Sequence, residues 1–383
     1  MRERIAKLDC ARGMAILGIL LMNITAFALP KAAYLNPAYN GAPSAADAWT
    51  WAIMDGFAQV KFLTLFAILF GAGLQMLLAR GNRWIASRLG WLMVFGIIHA
   101  IFFWDGDILL DYGLVGLICL GVVRQADSSR ALISTGAVLY MVGVLVLVLF
   151  QVMMASQTPG RYWLPGIAEQ IYEHYWLTVG GAEAWQNRLD LLEGSLIAMA
   201  SQYGWQLAGA MLVGAGLMRS GWLSGTWSEA HYRKMALLLI PLGLLVNVPS
   251  IILQWQLGWE YRWCAFLLQI PRDISAPFQV LGYVALLYGC WSRLSGLRLT
   301  RWVGNVGRMA LTNYLLQTLL CTLIFNQMAQ FMAYGRFELL ALVPVIWLVN
   351  LLVSTLWLHF FQQGPFEWMW RQLTRLTAGP HAS

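Results

Sequence analysis

Charge is scarce in this chain. Only 11% of its 383 residues are Asp, Glu, Lys or Arg, and 59% are hydrophobic, whereas a soluble domain carries about 25% charged residues. That shortage excludes an ordinary water-soluble enzyme. The glycine-rich phosphate loop GxxxxGK[ST] is absent, so no ATPase engine is present. The five cysteines (Cys10, Cys119, Cys264, Cys290, Cys321) show neither CxxC nor metal-ligand spacing. Neither a disulfide framework nor a metal site is expected from them. No small-residue cleavage site follows a short apolar core near the start, so the first apolar run reads as a retained transmembrane helix. No loop is long enough for a separate soluble domain, and no internal repeat is visible.

What fills the chain instead is apolar sequence and 20 tryptophans, a residue that favours membrane interfaces. A span needs about 20 mostly apolar residues. Ten windows qualify, near 13–30, 60–79, 84–103, 107–124, 131–153, 194–218, 235–256, 274–292, 309–327 and 339–361. With the N-terminus inside, 18 of the 25 basic residues fall in cytoplasmic segments and 7 outside, as the positive-inside bias requires. The fold class expected is therefore all-α: a polytopic membrane protein, one bundle of about ten transmembrane helices with both termini cytoplasmic. Residues 1–153 would hold five spans, 154–193 an outer-face loop with helical spacing, and 194–383 five more spans and a cytoplasmic tail. The net charge of +7 follows from the loop bias and membrane lipid, and nucleic acid is not an expected partner.

One hairpin stands out, "FGIIHAIFFWDGDILLDYGLVG" from Phe95 to Gly116. It holds His99, Asp105, Asp107 and Asp111 in otherwise oily sequence, where a charge costs roughly 2.5–3.5 kcal/mol at a helix centre. An aspartate at a helix start caps free N–H groups, which accounts for Asp105 or Asp107 taken alone. A histidine in a bundle also serves as a simple interhelical hydrogen-bonder. The cluster is harder to dismiss. Asp107 and Asp111 stand at i and i+4, where like charges repel unless each is neutralised, and histidine exchanges protons near neutral pH. Lys61 is expected near Asp105 or Asp107, since all three lie at the outer ends of early spans. Asn23, Gln202, Gln206, Asn313, Tyr314 and Gln317 add polar groups to other spans, each alone read as packing glue.

Several stretches carry a family resemblance: "LDCARGMAILGILLMNI", "KAAYLNP", "KFLTLFAILFGAGLQMLL", "HAIFFWDGDILLDYGLVGLI", "GRMALTNYLLQTLLCTLIF" and "GPFEWMWRQLT". Over nearly the whole chain the sequence resembles YeiB-type bacterial inner-membrane proteins, which carry a domain of unknown function. These are distantly similar to transmembrane acyltransferases, among them heparan glucosaminide N-acetyltransferase and the polysaccharide acyltransferases. Those families have an Arg-Gly at the start of the first span and a polar residue eleven positions on, matched here by Arg12 and Asn23. Two departures stand out. Asn23 replaces the histidine of the polysaccharide enzymes, and Tyr34 stands where the lysosomal enzyme has its catalytic histidine.

The resemblance implies transfer of an acyl group, acetyl in the simplest case, from a cytoplasmic acyl-CoA to an outward-facing small-molecule or saccharide acceptor. Phosphates on such a donor need basic residues, for which Arg12, Arg308, Arg80, Arg83 and Arg301 are the candidates. His99 would be the base, oriented by Asp105 or Asp107, and Asn23 the oxyanion donor. No metal is implied, and a homodimer is left open. The competing reading is a transporter or proton-coupled permease using the same buried His/Asp set. A structural or regulatory membrane subunit is a third.

Overall fold

The computed structural model describes residues 5–379, so Arg2 and Arg4, counted above with the inner basic residues, lie outside the described residues. The chain is helical throughout, with no strand among the described residues. Its helices are α1 (Ala6–Ala28), α2 (Ala45–Phe57), α3 (Lys61–Leu77), α4 (Asn82–Phe102), α5 (Leu109–Gln125), α6 (Ser129–Met154), α7 (Ile167–Val179), α8 (Gly181–Ala198), α9 (Gly204–Arg219), α10 (Glu229–Gln256), α11 (Tyr261–Cys264), α12 (Ile270–Gly289), α13 (Trp291–Leu294), α14 (Arg298–Arg308), α15 (Ala310–Thr322), α16 (Arg336–Phe360) and α17 (Pro365–Ala378). Six stretches among the described residues are long and apolar enough to cross a membrane: α1, Ala45–Arg80 across α2 and α3, α4, α6, α10 and α16. The α14–α15 pair makes a seventh if counted as one span bent by 90°. This is a polytopic helical membrane protein. The other windows expected to span hold α5, α9 and α12.

Local sequence sets the starts. Ser44, Ser128 and Ser228 each accept a backbone N–H of the first turn, at 3.1, 3.1 and 3.3 Å, and so open α2, α6 and α10. Between α6 and α9, the stretch expected to be helical carries α7 and α8. Trp176 and Leu177 of α7 and Ala184 of α8 bury against Phe331.

Packing between helices depends on absent side chains. Lipid offers no hydrophobic drive for helices to associate, so backbones must approach closely enough for dispersion contacts to add up. A Cβ on Gly214 would lie 1.8 Å from the Ile68 carbonyl oxygen, and one on Gly71 would lie 1.8 Å from that of Met211. These reciprocal contacts seat α9 on α3. The same device joins α1 to α14, where a Cβ on Gly13 would meet the Val303 carbonyl oxygen and one on Gly307 that of Asp9, each at 1.9 Å.

Polar side chains add the rest. Asn313 donates to Ser354 at 2.7 Å, Asn350 donates to Asn313 at 2.9 Å, and Gln317 donates to the Ile16 carbonyl at 3.2 Å. That network ties α15 to α16 and α1, and it gives Asn313 and Gln317 a structural role. Gly214→Ala should lower the melting temperature of the detergent-solubilised protein, by an overpacking cost of about 1–3 kcal/mol. Gly73→Ala, whose Cβ would meet open space, should melt as wild type. Equal melting of the two variants would contradict the close approach.

Candidate functional site

His99 sits in the last turn of α4 and is 3% exposed. Its Nδ1 lies 2.8 Å from Asp107 Oδ1 and its Nε2 3.0 Å from the Thr318 hydroxyl of α15. The other carboxylate oxygen of Asp107 accepts the Leu110 backbone N–H at 2.9 Å, at the opening of α5. Asp107 therefore does two jobs, capping α5 and holding the ring. With Asp107 ionised, Nδ1 carries the proton and Nε2 is the acceptor facing Thr318. Gly96 makes this possible: a Cβ there would lie 2.2 Å from the Leu110 nitrogen and 2.7 Å from Asp107 Oδ2. Any side chain at position 96 would push the start of α5 off α4.

The remaining aspartates of the hairpin have separate partners. Asp111 accepts the Tyr203 hydroxyl at 2.8 Å, and Tyr203 closes a widened turn over Met199–Tyr203 that aims its ring at α5. The expected repulsion between Asp107 and Asp111 is thus met by two different donors. Asp105 pairs with Lys31, whose backbone N–H also donates to Glu173 of α7 at 3.1 Å. Orientation of His99 falls to Asp107, while Asp105 ties the hairpin to the segments that cover it. Lys61 is not on this hairpin. Its ammonium donates to the Asp55 carbonyl, because α2 ends against the start of α3 and its last carbonyls lack partners within the helix.

A cavity of about 400 Å³ lies next to this cluster. Arg12, Arg80, Arg88, Arg308, Arg371 and Arg375 line it, and so does Glu367. Phe66, Phe70, Leu89 and Leu92 form an apolar wall, and Ile108, Tyr112 and Tyr314 also line the cavity. The rings of Tyr314 and His99 are 5.3 Å apart, so His99 stands one side chain behind the cavity. The α1–α14 contact brings two of the arginines to one cavity, because each adjoins a glycine of that contact: Arg12 precedes Gly13 and Arg308 follows Gly307. Arg12 is held by Asp9 at 3.3 Å, and Arg88 stacks on Trp370 with 3.4 Å from guanidinium carbon to ring centroid. Glu367 accepts the Thr312 backbone N–H at 3.1 Å. Burial raises its carboxyl above the ordinary range, and the Thr312 hydrogen bonds oppose that.

Among the sequence candidates, Arg12, Arg80 and Arg308 share the cavity, and Arg83 and Arg301 do not line it. Arg83 faces the Thr377 carbonyl at 3.5 Å, and Arg301 is exposed. Asn23 is buried within α1 and its amide makes no hydrogen bond among the described residues. It stands one turn from Phe27, which stacks on Trp104 at 4.0 Å, and Trp104 is edge-on to His99 at 6.4 Å. Asn23 does not line the cavity. Sequence reasoning missed Arg88, Arg371, Arg375, Thr318 and the position of Tyr314. The "WMWRQLT" run of α17 was the available signal for Arg371, since it resembled the family without any role being drawn from it.

Comparison with known proteins adds the lineage. The family model described as protein of unknown function (DUF418) matches residues 217–377. An uncharacterised protein, YeiB of Escherichia coli (strain K12), is 59% identical over 381 residues, covering 100% of this chain and 99% of that protein. The chain belongs to the YeiB family. The uncharacterised YxaH of Bacillus subtilis (strain 168) is 30% identical over 408 residues, covering 99% of this chain and 96% of the relative. The DUF418 match contains Arg308, Thr312, Tyr314, Thr318 and α17 up to Thr377. In this YeiB-family chain the cavity is therefore built by that region closing against α1, α3, α4 and α5.

Asp107→Ala should destabilise the protein more than Asp107→Asn. Alanine strips a partner from both His99 Nδ1 and the Leu110 N–H, at roughly 1–3 kcal/mol for each buried group left unpaired. Asparagine keeps one acceptor. Thermal melts that rank the two variants equally would show that Asp107 does not serve both groups.

Proposed function

We propose that this YeiB-family protein is a transmembrane acyltransferase that uses a cytoplasmic acyl-CoA as donor and an outward-facing hydroxyl or amine, on a small molecule or saccharide, as acceptor. The observation that carries the reading is the cavity itself. Its arginines suit the phosphates of a CoA-type thioester, its apolar wall suits the pantetheine arm, and its far part abuts the residue packed on His99. Its volume lies within the range of small-molecule sites, about 300–1,000 Å³.

In this reading the acceptor's lone pair adds to the thioester carbonyl carbon, and the carbonyl π electrons move to oxygen. The tetrahedral intermediate then collapses, the C–S bond breaks, and CoA leaves as its thiolate. The proton lost by the acceptor passes to His99 Nε2 and from there to the thiolate sulfur. Asp107 holds the ring in the tautomer that leaves Nε2 basic and stabilises the imidazolium once it forms. Thr318, which occupies Nε2 in this structure, gives way to the acceptor.

The reading includes ten spans, both termini in the cytoplasm and the bacterial inner membrane as location. Helices in every expected window and the uneven division of basic residues support it. The groups behind the transport alternative have fold-level partners: Asp107 with His99, Asp105 with Lys31, and Asp111 with the Tyr203 hydroxyl.

Purified protein should bind labelled acetyl-CoA and hydrolyse it slowly in the absence of acceptor. Arg12→Ala and Arg308→Ala should each weaken binding by about tenfold or more, the worth of a hydrogen bond to a charged group. Arg301→Ala, outside the cavity, should bind as wild type. No binding at millimolar donor would remove the proposal.

A further inference from the structure

Tyr314 is 3% exposed and belongs to the cavity wall, yet its hydroxyl meets no hydrogen-bond partner at bonding geometry. The Ile108 backbone approaches the hydroxyl, and no acceptor is in reach of its proton. A buried O–H left unpaired is costly, and unpaired polar groups cluster where a ligand completes them. The neighbouring Tyr112 makes the contrast plain, since its hydroxyl is spent on the Leu63 carbonyl at 2.9 Å. Tyr314 also separates the cavity from His99, with ring centroids 5.3 Å apart. A carbonyl carbon placed between cavity and histidine would lie beside this ring.

We propose that Tyr314, and not Asn23, is the catalytic residue that donates a hydrogen bond to the thioester carbonyl oxygen of the acyl donor. The inference rests on the acyltransferase reading. It follows from geometry: Asn23 does not line the cavity and Tyr314 does. As the acceptor adds to the carbonyl carbon, negative charge grows on the oxygen and the O–H···O contact strengthens. When the C=O bond re-forms and the thiolate leaves, the Tyr314 proton has stayed on Tyr314. Donors preorganised in this way and held away from water contribute mainly in the transition state.

Tyr314→Phe removes the hydroxyl and keeps the ring. The variant should melt close to wild type, because the lost hydroxyl donates to no acceptor. CoA itself, which lacks the acyl carbonyl, should bind with unchanged affinity. Acetyl-CoA turnover should fall by about 10²–10³-fold, the usual loss for one such donor. A second readout needs no variant: the carbonyl stretch of bound carbonyl-labelled acetyl-CoA should move to lower frequency on wild-type protein. Wild-type turnover in Tyr314→Phe, with the parent enzyme active, overturns the Tyr314 assignment and leaves the acyltransferase reading standing. So does a carbonyl stretch at its solution frequency on the wild-type complex. A wild-type protein that neither binds nor hydrolyses acetyl-CoA overturns both.

Discussion

The backbone contact between α1 and α14 is the constraint on which the arginine-lined cavity depends. Gly13 and Gly307 let a carbonyl of each helix sit where a Cβ would otherwise be, and Arg12 and Arg308 are their direct neighbours in sequence. The 90° bend between α14 and α15 then turns the chain from that contact into the core of the bundle. One turn into α15 comes Tyr314, and one turn further comes Thr318 against His99. A small-residue contact at one end of the bundle thus fixes, through a single bent helix pair, what lies along the cavity.

Sparse charge gives the interior its second rule: ionisable groups are held in neutralising sets. Arg272 contacts Asp273 at 3.2 Å and Asp55 at 3.6 Å, Gln206 donates to the second oxygen of Asp273 at 2.9 Å, and Asn247 donates to Asp55 at 3.1 Å. Lys61 joins this set through the Asp55 carbonyl. A buried ion set of this kind is weak evidence of net stability, but loss of one member strands the others. The cavity arginines follow a different pattern. Six of them share the wall with Glu367, an excess of one sign that an anionic ligand would balance.

Much of the fold was legible because it rests on long apolar runs, which composition and length reveal directly. The hairpin was legible too, since an aspartate and a histidine in apolar sequence are conspicuous. What sequence could not supply was pairing between distant elements. Lys61 looked like a partner for Asp105 because both end early spans, but α2 folds back to offer Lys61 a nearer carbonyl, and Lys31 takes Asp105. Arg83 and Arg301 resembled Arg80 and Arg308 in position, and helical phase turns them away from the cavity. Tyr314 looked like filler in "LTNYLLQT". Only the placement of α15 beside His99 shows that its hydroxyl is left over while Asn313 and Gln317 are spent on structure.

A density map of the protein in a lipid environment, prepared with saturating CoA, tests the central claim most directly. The account predicts a nucleotide-shaped density among Arg12, Arg308 and Arg371, with a thin arm running along Phe66 and Leu92 and its sulfur end beside Tyr314. An empty cavity, or a two-chained lipid filling it with its headgroup on the arginines, would contradict the account.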